Sequence, residues 1–133
     1  MNIVIVGARE RKDSDKDKET VEALVKEAAK LYGRRLNVIS VGCDKGVGKF
    51  AREFCIENGI IFVENRMKLE GTDIHRSFFV QAFQARNAAL LELGDEFYVF
   101  KGPNENGIIE GIIDPAKKRV PADRVKVYEF EGN

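Results

Sequence analysis

Apolar residues follow two alternating rhythms along this chain. Five short runs rich in β-branched and aromatic residues, at 2–6, 36–41, 60–63, 96–100 and 125–130, are almost continuously apolar, as in IVIV and NVISV. Runs of that kind fit strands covered on both faces, the situation of a parallel sheet. Between them the apolar positions recur at steps of three and four. Val21, Leu24, Val25, Ala28 and Leu31 form one stripe, with Lys and Glu on the other side and Gly33 as its stop. Val47, Phe50, Ala51, Phe54 and Cys55 form a second, ended by Asn58-Gly59. A third starts near Asp73 and runs through Phe79, Phe83, Ala89 and Leu93 to Gly94. The fourth segment is less regular. Residues 107–113 have room for two turns, and the helix then either stops near Asp114 or restarts with Asp114 as cap and Pro115 at its first position.

Strands alternating with helices predict an α/β fold, a Rossmann-like three-layer sandwich around a central parallel sheet of about five strands. At 133 residues the elements fill a single domain, 1–133. The 22 basic and 22 acidic residues cancel, which argues against broad nucleic-acid binding, since that depends on neutralising many phosphates. The two cysteines form no disulfide or zinc pattern. No apolar run approaches the length of a membrane span, and the opening MNIVIVG carries no basic leader, so a cytoplasmic protein without a membrane partner is expected.

The candidate chemistry lies in three glycine loops. Gly7 closes the first strand and leads into Ala8 and Arg9; Gly42 closes the second and leads through Cys43, Lys45 and Gly46 to Val47. Gly102 follows Lys101 after the fourth strand and leads through Asn106 to Gly107. In an open parallel sheet such loops emerge at one edge, where ligands bind near the point at which strand order reverses. Glycine tolerates positive φ and lets backbone N–H groups approach an anion, and a following helix start adds partial positive charge. The spacing is neither a Walker loop nor a dinucleotide fingerprint, and each loop alone is equally served by a glycine that merely makes a tight turn.

Arg86-Asn87 follows the stretch FFVQAFQ inside the third helix; Arg86 either makes a surface ion pair or grips a phosphate. Glu110 stands in the first turn of a short helix, favoured there by the helix dipole or acting near a sugar. Lys49 is expected to face solvent. Cys43 and the lone His75 have no catalytic partner in view; Cys43 is read as a packing residue and His75 as a capping or solvent-exposed one. Phe78 and Phe79 are candidates for contact with a second copy in a homodimer.

Taken in order, these segments resemble the SLOG superfamily of Rossmann-like domains, which includes DprA, the LOG phosphoribohydrolases and the YspA-like proteins. GCDKGVGKFA at 42–51 is similar to the family loop GGARGVDxLA, Arg86-Asn87 to its RN pair, and GPNENGIIE at 102–110 to its GG-x-GT-x-x-E segment. The resemblance implies a nucleotide or nucleotide-derived phosphorylated ligand at the C-terminal edge of the sheet, with no further cofactor. By the same resemblance, Arg86 and Glu110 correspond to residues that support N-glycosidic bond cleavage in nucleoside 5′-monophosphates. The last motif is broken here, with Ile108 where the family has Thr. The first expectation is therefore a binding, sensing or accessory domain, and the alternative is an N-glycosidase of the phosphoribohydrolase kind.

Overall fold

The computed structural model describes residues 1–41, 45–65, 76–104 and 107–131, and of residues 76–81 and 83 the backbone alone. Five strands, β1 (Asn2–Gly7), β2 (Asn37–Ser40), β3 (Ile61–Glu64), β4 (Glu96–Phe100) and β5 (Val125–Tyr128), form one sheet in the order β3-β2-β1-β4-β5. Every pairing is parallel, with Ile3 opposite Val38 and Val4 opposite Phe97. The α/β expectation is met, with strand limits within two residues of those read in the pattern.

Among the described residues four α-helices cover the sheet: α1 (Asp15–Tyr32), α2 (Val47–Glu57), α3 (Arg76–Leu93) and α4 (Ile113–Arg119). Alternation along each strand sorts the core into two halves. Ile3, Ile5, Val38 and Phe100 pack with Val21 and Val25 of α1 and Phe50, Ala51 and Cys55 of α2. Val4, Val6, Ile39, Phe97 and Val99 pack on the opposite face with Leu90 of α3, Ile112 and Ala116. Burial pushes the Cys55 thiol up to about 12, so it behaves as an apolar filler. Among the described residues no helix is long and apolar enough to cross a membrane.

The helix boundaries have local causes. Ser14 caps α1, its hydroxyl accepting from the Asp17 N–H at 3.4 Å. At the other end Gly33 stops the helix with φ 56, returning its N–H to Ala29. A 3-10 turn at Glu110–Ile112 runs directly into α4. Pro115 is the third residue of that helix, where its missing N–H has no intrahelical acceptor to forgo, so the chain neither stops at Asp114 nor restarts there. Two stripe residues are corrected: Leu31 is 65% exposed and Leu93 is 45% exposed, both in the last turns of their helices. On edge strand β3, Ile61 and Val63 are exposed, so double-sided coverage holds only for the central strands. The start of the third helix near Asp73 lies outside the described residues.

Candidate functional site

Strand order reverses between β1 and β4, and the chain segments leaving these two strands meet at their C-terminal ends. The Ala8 N–H donates to the Phe100 carbonyl at 3.0 Å, tying the first residue after β1 to the last of β4. α2 begins against the same spot, since a Cβ on Gly7 would lie 2.8 Å from Val47 Cβ. A Cβ on Gly102 would lie 2.7 Å from Ala8 Cβ, and one on Gly107 would overlap the Glu110 carboxylate. The loops are therefore adjacent, as the fold requires.

The reason for the glycines differs from the expectation. Among the described loop glycines only Gly46 has positive φ, at 74. Gly7 and Gly102 serve close approach of backbone and side chains rather than a left-handed turn. A further positive-φ position at this edge is filled by Lys12, with φ 55 and ψ −161. That region is almost reserved for glycine and costs of order 1–3 kcal/mol for another residue. Lys12→Gly is expected to raise stability by about 1 kcal/mol or more, read as a shift in urea midpoint at constant slope. An unchanged midpoint would mean that the strain is not borne by this residue.

Two loop amides already hold anions from the chain itself. Asp13 Oδ1 accepts the Gly46 N–H at 2.7 Å, and its Oδ2 pairs with Lys49 Nζ at 3.0 Å. The Gly46 amide, followed by Lys49, holds the Asp13 carboxyl below its ordinary range, while Asp13 raises the Lys49 ammonium. Lys49, expected to face solvent, is thus a partner of this loop. In the same way the Gly102 N–H donates to Glu110 Oε1 at 2.8 Å, and Glu110 is 8% exposed.

The remaining candidates divide clearly. Arg9 and Lys45 are exposed on the loops after β1 and before α2. Lys101 turns to Glu129, with Nζ 3.4 Å from Oε2. Asn87 donates to the Ile108 carbonyl at 2.9 Å, which brings the Arg86-Asn87 turn of α3 against the loop carrying Glu110; Arg86 itself is half-buried. Asn87 Oδ1 is buried without a partner among the described residues. Gly42, Cys43, His75 and Asn106 lie outside the described residues, as do the side chains of Phe78 and Phe79.

Sequence reasoning missed Arg11 and Asp13, both in the charged run ARERKDSD, which reads as a solvated face. Arg11 forks onto both oxygens of Asp17 at 2.9 Å and donates to the carbonyls of Lys101 at 2.7 Å and Glu129 at 2.9 Å. It thereby stitches the loop after β1 to the ends of β4 and β5. The available signal was the capping pattern of Ser14 and Asp17, which places the start of a helix directly behind these charges.

No family model matches the chain, and no curated protein is similar to it. The functional reading therefore rests on geometry and on the motif resemblance alone. Among the described residues no group of three or more His, Cys, Asp or Glu is arranged to hold a metal ion.

Proposed function

We propose that this domain binds a nucleotide or nucleotide-derived phosphorylated ligand at the C-terminal edge of the sheet, as a sensor or accessory domain. The observation that carries the proposal is the meeting of the loops after β1 and β4 with the start of α2 at the reversal of strand order. A parallel sheet leaves its ligand crevice at that point, beside a helix start, and the Gly46 and Gly102 amides there already donate to carboxylates that an incoming anion would replace. Exposed Arg9 and Lys45 add cationic side chains beside it. The resemblance of 42–51, 86–87 and 102–110 to SLOG motifs supports the same ligand class.

Binding is favoured over catalysis because Glu110 is buried and one of its oxygens is engaged by the Gly102 amide. A carboxylate so held is a loop clamp before it is a base, whereas a general base must reach the proton it abstracts. Calorimetric titration with AMP, GMP, CMP and UMP tests the reading. At least one is expected to bind with a micromolar Kd, and Lys45→Glu is expected to weaken that binding by about tenfold. No binding by any of the four refutes it. Release of free base, abolished by Glu110→Gln, would instead establish the phosphoribohydrolase alternative.

A further inference from the structure

The two edges of the sheet are guarded differently. β5 carries Lys126, exposed within the strand, and a charge in that position is a common means of keeping an edge single. β3, continued back to Ile60, reads Ile-Ile-Phe-Val before Glu64, with neither charge nor proline. The Asn65 N–H donates to the Ser40 carbonyl at 2.7 Å and Val63 pairs with Ile39, so residues 61, 63 and 65 address β2. Phe62 therefore turns its N–H and C=O to the open side, where neither has a partner among the described residues.

The same edge is apolar on both faces. Ile61 and Val63 are exposed on one, and on the other Phe62 is half-buried against the half of the core under α1 and α2. Arg52 of α2 reaches the Glu64 carboxylate at 3.0 Å, which sets that flank of the helix beside β3. Ile56, one turn further along the flank, is 70% exposed. Among the described residues six large apolar side chains are exposed, and three of them, Ile56, Ile61 and Val63, share this edge.

An outward backbone pair of this kind is satisfied by another strand, and β3 matches itself. Run antiparallel about a twofold axis at Phe62, two copies exchange the Phe62 N–H and C=O reciprocally. Ile61 of one copy then lies opposite Val63 of the other, on the face where both are bare, and the axis repeats that contact. An axis at Val63 would leave Ile61 against Asn65, and an axis at Glu64 would oppose two carboxylates. The register at Phe62 sets apolar against apolar and closes the assembly at two. We propose that this chain forms a homodimer through β3, the two sheets joining into one across the axis. The contact is separate from the nucleotide edge and from Phe78 and Phe79, and stands or falls without them.

Sedimentation equilibrium of the full chain tests it. At about 100 µM at least half of the chain is expected as dimer, as suits an interface at the small end of the specific range. Ile61→Lys and Val63→Lys are each expected to raise the dissociation constant by about tenfold, because each change occurs twice about the axis and sets an ammonium against an aliphatic side chain. Both positions are exposed, so the urea midpoint of the dilute chain should hold. Leu31→Lys, exposed on α1, should leave the dimer unchanged. In hydrogen exchange the Phe62 amide is expected to slow in step with the dimer fraction, and Val63→Lys to remove that slowing. A chain monomeric at this concentration, a dimer whose affinity survives both β3 substitutions, or a Phe62 amide whose exchange ignores concentration would each overturn the proposal.

Discussion

Replacing Arg11 by alanine is expected to cost about 3–5 kcal/mol, a large share of the roughly 5–15 kcal/mol that holds a domain together. The side chains of Arg11 and Asp17 are only 10% and 7% exposed, and the pair is bidentate. Truncating the arginine leaves a carboxylate in the interior with no counter-charge, and carbonyls at the ends of β4 and β5 lose their donor. The guanidinium also lies 5.2 Å from the centroid of Phe100, which stacks on Tyr128 at 4.2 Å, so the loss reaches the apolar layer beneath. Urea unfolding of Arg11→Ala, Asp17→Ala and the double variant gives the coupling energy, and the double variant should recover part of the loss. Arg11→Lys should remain well below the native chain, because an ammonium cannot reproduce the planar fork. A cost below about 1 kcal/mol would place the pair with solvent-exposed bridges.

Gly94→Ala is expected to destabilise by about 1–3 kcal/mol, although it adds a single methyl group. The new Cβ would stand 2.5 and 2.7 Å from atoms of the Phe97 ring and 2.8 Å from Val4 Cγ2. Phe97 and Val4 are both fully buried, so neither has space into which to retreat. Gly111→Ala is the control: a Cβ there meets nothing within 4 Å, and its stability should change by less than about 1 kcal/mol. Thermal unfolding of the two variants side by side separates overpacking from the general effect of replacing glycine. Equal midpoints would mean that the α3–β4 turn yields.

The sheet was readable in the sequence because its central strands are apolar on both sides, and that leaves a continuous run in place of an alternating one. β3 and β5 were found for the same reason despite lying at the edges, and the exposure of Ile61 and Val63 follows from that position rather than from their type. Helix stripes were reliable over the sheet and failed at the ends, where Leu31 and Leu93 run past it. Pro115 misled because its consequence depends on its distance from a helix start, and that start is set by Ile112 packing beneath α4, a tertiary contact. The glycines after β1 and β4 lie at the sheet edge as expected, but the need at Gly7 and Gly102 is for proximity to Val47 and Ala8, residues distant in the chain. Arg11 was hidden because burial of a charge leaves no mark in composition, and the exposed Asp13 because its partners Gly46 and Lys49 are distant in the chain.

The hold of Asp13 on the start of α2 also sets the terms on which that edge can be used. Its carboxylate is tethered, so it faces the Gly46 amide and Lys49 at an effective concentration of the order of millimolar or more. Any dissolved anion seeking those donors enters by exchange, not by filling a vacancy. Small inorganic ions gain little from such an exchange, whereas a molecule with additional points of attachment can recover what the displacement takes. Discrimination against simple inorganic anions is thus written into the loop itself.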